Sequence, residues 1–146
     1  MGTLLLVREL RSLEDTQALA QQALPLLPEG ALVVLEGPLG AGKTTFARFL
    51  AEAMGFGGRV TSPTYTLIHT YPTPQGPLVH ADLYRLKDPA PLLPQLEAAR
   101  EGARLVLVEW GDPMALGADF LLRLTPQEEA RRAELWRLHP SEEEGI

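Results

Sequence analysis

The sequence predicts an α/β fold of three layers, in which helices cover a mixed central sheet that has a parallel centre and added antiparallel strands. Two continuous apolar runs, residues 31–35 and 105–108, are typical of parallel strands that are covered on both faces. The first run leads through a glycine-rich loop into a segment of helical periodicity, and period-two segments follow later in the chain. With 146 residues the chain is expected to form a single domain, residues 1–146.

The N-terminal part predicts a strand followed by a helix. Residues 3–7 form a short apolar strand candidate. Ser12 is a suitable N-cap, and Glu14 and Asp15 place negative charge in the first turn of a helix that should run to about Leu27. We expect an apolar stripe of this helix to face the core, formed by Leu13, Thr16, Ala20, Ala23, Leu24 and Leu27.

The middle and the C-terminal part predict further strands and one broken helix. Residues 65–71 and 78–84 alternate with period two and are joined across the proline-rich stretch 72–77, which favours a hairpin. Residues 88–99 have helical character, but two prolines interrupt them. The segments 120–124 and 133–138 are typical of a final antiparallel pair.

The composition limits the classes of protein to consider. The hydrophobic content of 45% is sufficient for a core, and no apolar run approaches the ~20 residues that a membrane-spanning helix needs. The start of the sequence lacks a basic leader and a long apolar segment, so we expect a cytoplasmic protein. Cysteine is absent, which excludes disulfides, thiolate metal sites and a cysteine nucleophile. A formal charge of −6 argues against direct electrostatic binding of nucleic acid.

Residues 37–44 match the pattern G-x-x-x-x-G-K-[ST], with which many proteins surround nucleotide phosphates. The glycines of this loop allow several backbone N–H groups to turn toward anionic oxygens at once. Lys43 adds a positive charge that can reach the outer phosphates, and the hydroxyl of Thr44 suits a bridging Mg²⁺ ion.

The context of this loop decides between a phosphate site and a plain glycine turn. A strand candidate, residues 31–35, precedes the loop, and residues 45–54 follow it with apolar side chains at helical spacing. The sequence therefore predicts a P-loop NTPase-like fold.

Two acidic residues follow apolar strand candidates, as phosphoryl transfer requires. Glu109 follows residues 105–108, and Asp82 follows residues 78–81. A carboxylate at the end of a strand beside the loop can position Mg²⁺ or the attacking oxygen. The alternative is that each carboxylate only caps a helix or pairs with an arginine, and Arg85 lies three residues after Asp82. We expect Lys43, Asp82 and Glu109 to be the catalytic residues.

Three further features lie near these acids and have two interpretations each. His80 is either a packed core residue or a residue that supports the site. Trp110 is either a core aromatic or a gate beside the site. Residues 61–66 contain four hydroxyl side chains of Ser and Thr, besides that of a Tyr, and form either a loop ordered by a terminal phosphate or a plain surface loop.

Four segments together resemble one family. Residues 37–46, 62–67, 80–86 and 108–110 closely resemble, in order and spacing, the TsaE (YjeE) family of bacterial ATPases of tRNA threonylcarbamoyladenosine biosynthesis. The resemblance extends from the helix start near Ser12 to about residue 110.

The resemblance implies an ATPase that uses ATP and Mg²⁺ as cofactors in the modification of tRNA. It also implies two protein partners, TsaD, which transfers the threonylcarbamoyl group, and TsaB, with tRNA reached indirectly through them. Such an indirect role agrees with the acidic charge of the chain.

The resemblance also implies roles for individual residues. Asp82 would serve hydrolysis, and residues 61–66 would form a nucleotide-sensing switch. Leu13 and the pair Arg131 and Arg132 would border the base. Thr44 and Glu109 would hold the metal. The nucleotide would contact Gly37, Leu39, Gly40, Ala41, Gly42, Lys43, Thr44 and Thr45.

Departures from the family and rival functions remain at this point. Pro38 stands where the family usually has Asp, Ala81 stands where it usually has a bulky aromatic residue, and residues 88–104 diverge. One rival function is a small-molecule kinase, which needs an acceptor pocket and an arginine-bearing lid. Another is a nucleotide-dependent docking module that does not hydrolyse ATP. A GTPase is disfavoured because the sequence has no [NT]-K-x-D guanine reader and no D-x-x-G switch.

Overall fold

A computed structural model describes residues 2–60 and 67–139 of the chain. Seven strands in these residues form one sheet. The strands are β1 (Gly2–Leu10), β2 (Ala31–Glu36), β3 (Ile68–Thr73), β4 (Gly76–Asp82), β5 (Leu105–Glu109), β6 (Phe120–Pro126) and β7 (Arg131–Leu138). The helices are α1 (Leu13–Ala23), α2 (Lys43–Ala53), α3 (Leu93–Arg100) and the single turn α4 (Pro113–Leu116), with 3-10 turns at Leu24–Leu26 and Ala90–Leu92.

The sheet has the strand order β1-β7-β6-β2-β5-β4-β3. Strand β2 pairs in parallel with β5 and β6, and β5 pairs in parallel with β4. Strands β1, β7 and β3 are added in antiparallel orientation. The predicted mixed sheet with a parallel centre is therefore confirmed. The carboxyl ends of β2, β4 and β5 meet at one edge, which is where open α/β sheets bind ligands.

Helices cover both faces of the sheet and make the predicted three layers. On one face, Leu19 of α1 and Phe46 of α2 pack in a cluster of buried side chains with Leu35 of β2. On the other face, Leu96 of α3 belongs to a second cluster with Val34 of β2. Strand β2 alternates between these two clusters, which explains why its sequence is apolar throughout. In the part of the chain that the structure describes, no helix is both long and apolar enough to cross a membrane.

Helix α1 is shorter than expected. Ser12 caps it as predicted, because its side chain accepts a hydrogen bond from the backbone N–H of Asp15. The α-helix ends at Ala23 and continues only as a 3-10 turn. Pro25 explains this end because it has no N–H for the next hydrogen bond of an α-helix. Leu13 was expected in the core stripe, but its side chain is exposed.

The other differences lie at turns. The predicted hairpin forms, but β3 and β4 continue to Pro72 and Pro77, which lie opposite each other, and the turn is tight. Pro72 is tolerated because β3 is an edge strand, and Pro77 precedes the residues of β4 that pair with β5. The broken helix around residues 88–99 forms as the 3-10 turn Ala90–Leu92 followed by α3. The single turn α4 was not predicted, although Asp112 caps it by accepting a hydrogen bond from the N–H of Met114.

Candidate functional site

The glycine-rich loop connects β2 to the N-terminus of α2. Gly40 and Gly42 have positive φ angles of 78° and 104°, a backbone conformation that residues with a Cβ adopt at a cost. Gly42 is the N-cap of α2, and its carbonyl accepts a hydrogen bond from the N–H of Phe46. The first backbone N–H groups of an α-helix have no partner within the helix and carry partial positive charge. The loop and this helix end can therefore surround an anion.

Lys43 is the first residue of α2 and is almost completely buried. Its Nζ donates hydrogen bonds to the carbonyl oxygens of Gly37 and Pro38. The same atom lies 3.9 Å from the ring centroid of Trp110, within the range of a cation–π interaction. Burial lowers the pKa of Lys43, and the nearby Glu109 carboxylate offsets part of this shift. The ammonium group is thus held inside the loop by contacts that a phosphate could replace.

Thr44 and Glu109 meet beneath the loop. Thr44 lies in the first turn of α2, and Glu109 is the last residue of β5, with only 3% of its surface exposed. The Thr44 hydroxyl lies 3.0 Å from Oε2 and 3.3 Å from Oε1 of the Glu109 carboxylate. These oxygen atoms are close enough to be ligands of one hard cation such as Mg²⁺. The predicted metal-binding pair is therefore adjacent in the fold.

Asp82 is the neighbour of Glu109 in the sheet. The two residues are paired in the parallel register of β4 and β5. The Asp82 carboxylate accepts a hydrogen bond of 2.9 Å from the backbone N–H of Tyr84, and its side chain is partly exposed. Glu109 is therefore the buried carboxylate of the pair, and Asp82 is the one that solvent can reach.

His80 lies two residues before Asp82, on the same face of β4, and is completely buried. Its Nε2 lies 2.5 Å from Oε2 of Glu109. The structure thus places this histidine in contact with the site, which favours the supporting role over simple packing. The alternation of His80 with Asp82 in the sequence indicated a shared face of the strand, but not a contact with β5.

Trp110 follows Glu109 directly and has a positive φ angle of 62°, which is unusual for a residue other than glycine. The residue is 37% exposed, and its ring packs against the ring of Tyr84, with 4.8 Å between the ring centroids. Trp110 is therefore not a core aromatic. It lies beside Lys43 at the mouth of the site.

A cavity of about 1000 Å³ opens in front of these residues. Residues 39–45 of the glycine-rich loop and helix α2 form its floor, and Asp82, Glu109 and Trp110 form one side. The start of α1 and the β6–β7 turn, residues 127–130, also line it. The cavity thus combines nearly all the predicted site residues, whereas Gly37 lines a second cavity of about 580 Å³ behind the loop.

The structure brings two of the three residues expected to border the base to this cavity. Leu13 and Arg131 both line it, but Arg132 is not among the described residues that do so. Arg131 Nη2 donates a hydrogen bond of 3.0 Å to the carbonyl oxygen of Gly40 and so reaches across the loop. The wall from the β6–β7 turn was not predicted, because it depends on how that hairpin packs. The predicted switch, residues 61–66, lies outside the described residues.

The residues present fit a metal ion that is shared with a phosphate ligand. Within residues 2–60 and 67–139, no three side chains of His, Cys, Asp or Glu are grouped closely enough to hold a metal by themselves. Mg²⁺ commonly needs only one or two carboxylates, because phosphates and water complete its shell. The Thr44 hydroxyl and the Glu109 carboxylate supply that kind of partial set.

Comparisons with known proteins agree with this site. The family model described as "Threonylcarbamoyl adenosine biosynthesis protein TsaE" matches residues 10–134. A protein of Aquifex aeolicus named tRNA threonylcarbamoyladenosine biosynthesis protein TsaE is 38% identical over 125 residues, which are 84% of this chain and 89% of that protein. The protein of the same name from Bacillus subtilis is 41% identical over 97 residues, which are 66% of this chain and 61% of that protein.

A solved structure is also similar. The crystal structure of Bacillus subtilis YdiB superposes with a TM-score of 0.72 at 27% identity, and the match covers 95% of this chain and 88% of that chain. The matched segment 10–134 includes the glycine-rich loop, both carboxylates and the β6–β7 turn. The chain therefore belongs to the TsaE family of threonylcarbamoyl adenosine biosynthesis proteins.

Proposed function

We propose that this chain is an ATPase of tRNA threonylcarbamoyladenosine biosynthesis, which binds and hydrolyses ATP with Mg²⁺ in support of a complex of TsaD and TsaB. The observation that carries this proposal is the contact between Thr44 and Glu109 directly below the glycine-rich loop. A loop of this kind without a buried carboxylate could bind an anion. The buried carboxylate adds a ligand for the metal ion that assists phosphoryl transfer.

The glycine-rich loop and Lys43 bind the phosphates in this proposal. The ammonium group now interacts with two carbonyl oxygens of the loop and with the Trp110 ring. A triphosphate offers charged oxygens in place of these neutral partners, and charge-assisted hydrogen bonds are the stronger ones. Lys43 then turns from the loop to the outer phosphates.

Thr44 and Glu109 hold the metal, and Asp82 orients the attacking water. Mg²⁺ held by Thr44 and Glu109 would supply positive charge that polarises the phosphate oxygens. Glu109 is suited to metal binding because it is buried and contacts Thr44. Asp82 is suited to water because its partly exposed carboxylate lines the cavity.

The family membership supports the place of this ATPase in tRNA modification. The formal charge of −6 favours action through protein partners over direct binding of tRNA. Apolar side chains at the mouth of the cavity support contact with such a partner, since Leu39 is 68% exposed and Tyr84 is 51% exposed. The proposal therefore places TsaD and TsaB near the open side of the nucleotide.

The experiment combines nucleotide binding with phosphate release. Calorimetric titration of the protein with ATP and Mg²⁺ should give a binding isotherm, and phosphate release should be measured alone and with purified TsaD and TsaB. Glu109→Gln removes the proposed metal ligand and should reduce release by ~100-fold or more, because losing even a residue that orients a metal ligand costs about 10- to 100-fold, while ATP binding stays detectable. Glu97→Gln, at an exposed position of α3, is the matched control.

The outcomes separate the rival functions. A folded protein that gives no binding heat with ATP and Mg²⁺ contradicts the proposal as a whole. Binding without release, even in the presence of TsaD and TsaB, indicates a docking module. Phosphate that appears on an added acceptor and not in solution indicates a kinase.

A further inference from the structure

His80 is the histidine of β4 whose side chain is completely shielded from solvent. An imidazole is costly to bury unless its polar atoms form hydrogen bonds. Leu78, two residues earlier on the same face of the strand, is also completely buried, and apolar side chains are the usual occupants of such positions. The presence of histidine here therefore needs a reason other than packing.

The reason lies on the neighbouring strand. In the parallel register His80 pairs with Leu107, two residues before Glu109. This offset brings Nε2 of His80 to 2.5 Å from Oε2 of Glu109. The same carboxylate oxygen lies 3.0 Å from the Thr44 hydroxyl on its other side. Glu109 is thus contacted from below by the imidazole and from above by the helix that follows the glycine-rich loop.

The contact also indicates which nitrogen of the ring carries hydrogen. An ionised carboxylate only accepts hydrogen bonds, so Nε2 must be the donor. The other nitrogen, Nδ1, is buried and has no hydrogen-bond partner among the described residues. If Nδ1 alone carried hydrogen, this buried N–H would have no acceptor. Nε2 and Oε2 of Glu109 would then face each other as two acceptors, and both situations are unfavourable.

A fixed carboxylate matters at this position because Glu109 has a flexible side chain and a second carboxylate beside it. Asp82 occupies the paired position on β4, so repulsion between the two charges would favour other orientations of the Glu109 carboxylate. A donor below Glu109 opposes such a rotation. Hydrogen bonds of this kind commonly orient the ligands of metal sites.

We propose that His80 is a positioning residue, whose Nε2–H holds the Glu109 carboxylate in the orientation in which it meets Thr44. The inference rests on the proposed function only where it predicts catalysis, because the hydrogen bond itself is a property of the nucleotide-free protein.

The test uses two substitutions and a matched control. His80→Leu fills the volume without a donor, whereas the side-chain amide of His80→Gln can place an N–H near the position of Nε2. His69→Gln is the control, because His69 lies directly opposite His80 on β3 but contacts Tyr71 instead of a carboxylate. Urea unfolding of all three variants establishes that they fold.

The first readout is independent of catalysis. Nitrogen-15 NMR of the wild-type histidine side chains should show a hydrogen on Nε2 of His80, identified as the signal that disappears in His80→Gln. A ring without hydrogen on Nε2 overturns the inference, whatever the protein does with ATP.

The second readout is the dependence on Mg²⁺. In His80→Leu we expect kcat for phosphate release and the apparent affinity for Mg²⁺ to fall by about 10- to 100-fold, the usual effect of losing a residue that orients a ligand. The KM for ATP should change little, because the loop and Lys43 are intact. His80→Gln should recover most of the loss, and His69→Gln should behave like the wild type.

The outcomes distinguish this inference from the proposed function. A wild-type protein that neither binds nor hydrolyses ATP contradicts the proposed function, and the NMR result then still decides the hydrogen bond. A wild-type protein that is active, together with a folded His80→Leu variant of unchanged kcat and Mg²⁺ dependence, overturns the inference alone. Equal losses in His80→Leu and His80→Gln overturn it as well, because they indicate a role in packing.

Discussion

Asp82 and Glu109 stand side by side at the ends of two neighbouring parallel strands, as paired residues of the register. Paired residues of neighbouring parallel strands lie ~4.8 Å apart and point to the same face of the sheet. The two side chains therefore both point toward the face that α2 covers. Their surroundings differ, because Glu109 is buried against His80 and Thr44 whereas Asp82 is partly exposed to the cavity. Two carboxylates in different surroundings can have different roles.

The first prediction concerns Asp82→Asn. Asparagine keeps the shape and the oxygen that accepts the hydrogen bond from the N–H of Tyr84, but it removes the negative charge. We expect phosphate release to fall by ~100-fold, while ATP binding is retained or strengthened because one charge that repels the triphosphate is gone. Release is measured with a phosphate-binding probe and binding by calorimetry. Asp88→Asn is the control, since Asp88 is exposed and caps a turn by accepting a hydrogen bond from the N–H of Ala90, and equal losses in both variants would contradict the role of Asp82.

The parallel centre of the fold and the core of the site could be predicted from the sequence. Residues 31–35 and 105–108 are apolar throughout because strands covered by helices on both faces have no polar side. Once these strands are placed in parallel, Glu109 and the loop before Lys43 must lie at the same edge of the sheet. Local pattern and topology therefore agree at these positions.

Features that depend on packing between distant segments could not be predicted. The wall of the cavity at residues 127–130 depends on the angle of the β6–β7 hairpin. The exposed position of Trp110 depends on a left-handed backbone conformation that nothing in its neighbours requires. The contact of His80 with Glu109 depends on the register between β4 and β5. A single sequence contains no local signal for these three properties.

The second prediction concerns the pH dependence of stability. Burial lowers the pKa of Lys43 below its ordinary value of 10.5, and Glu109 and Asp82 offset only part of this shift. The unfolded chain therefore binds more protons than the folded chain at pH values between the lowered pKa and 10.5. The contribution of Lys43 to the free energy of unfolding therefore rises with pH across that interval. We expect the wild type to gain free energy of unfolding relative to Lys43→Met as the pH is raised from neutral toward 10.5.

Urea unfolding of the two nucleotide-free proteins at a series of pH values measures this difference directly. Methionine resembles the apolar stem of lysine without its terminal ammonium and does not titrate, so the comparison isolates the ammonium group. If the free energy of unfolding of the wild type instead falls relative to Lys43→Met as the pH is raised, burial does not lower the pKa of Lys43.

The third prediction concerns the fluorescence of Trp110. Its ring lies 3.9 Å from the Nζ of Lys43 and is 37% exposed. When phosphates take over the ammonium group, the charge beside the indole changes, so the emission should change on binding of ATP. Trp136 is the other tryptophan and lies on β7, paired with Leu4 and Leu121 away from the loop. Trp136→Phe should therefore keep the signal, and Trp110→Phe should lose it while ATP still binds. An emission of Trp136→Phe that does not change when ATP binds would contradict displacement of Lys43 from the ring, because Trp110 is then the remaining indole.

The last prediction separates backbone strain from phosphate binding by means of two glycines. Gly42 and Gly102 have φ angles of 104° and 80°. A Cβ added at Gly42 would meet the end of the flexible Arg131 side chain, and a Cβ added at Gly102 would meet nothing within 4 Å. Gly42→Ala and Gly102→Ala should therefore each cost about 1 to 2 kcal/mol of stability, because the left-handed conformation is strained for alanine. Only Gly42→Ala should also weaken ATP binding, since a strained N-cap of α2 turns the N–H groups of the loop away from the ligand. Thermal unfolding and calorimetry measure the two effects. If Gly42→Ala loses stability but keeps full affinity for ATP, the conformation of this loop is not what binds the phosphates.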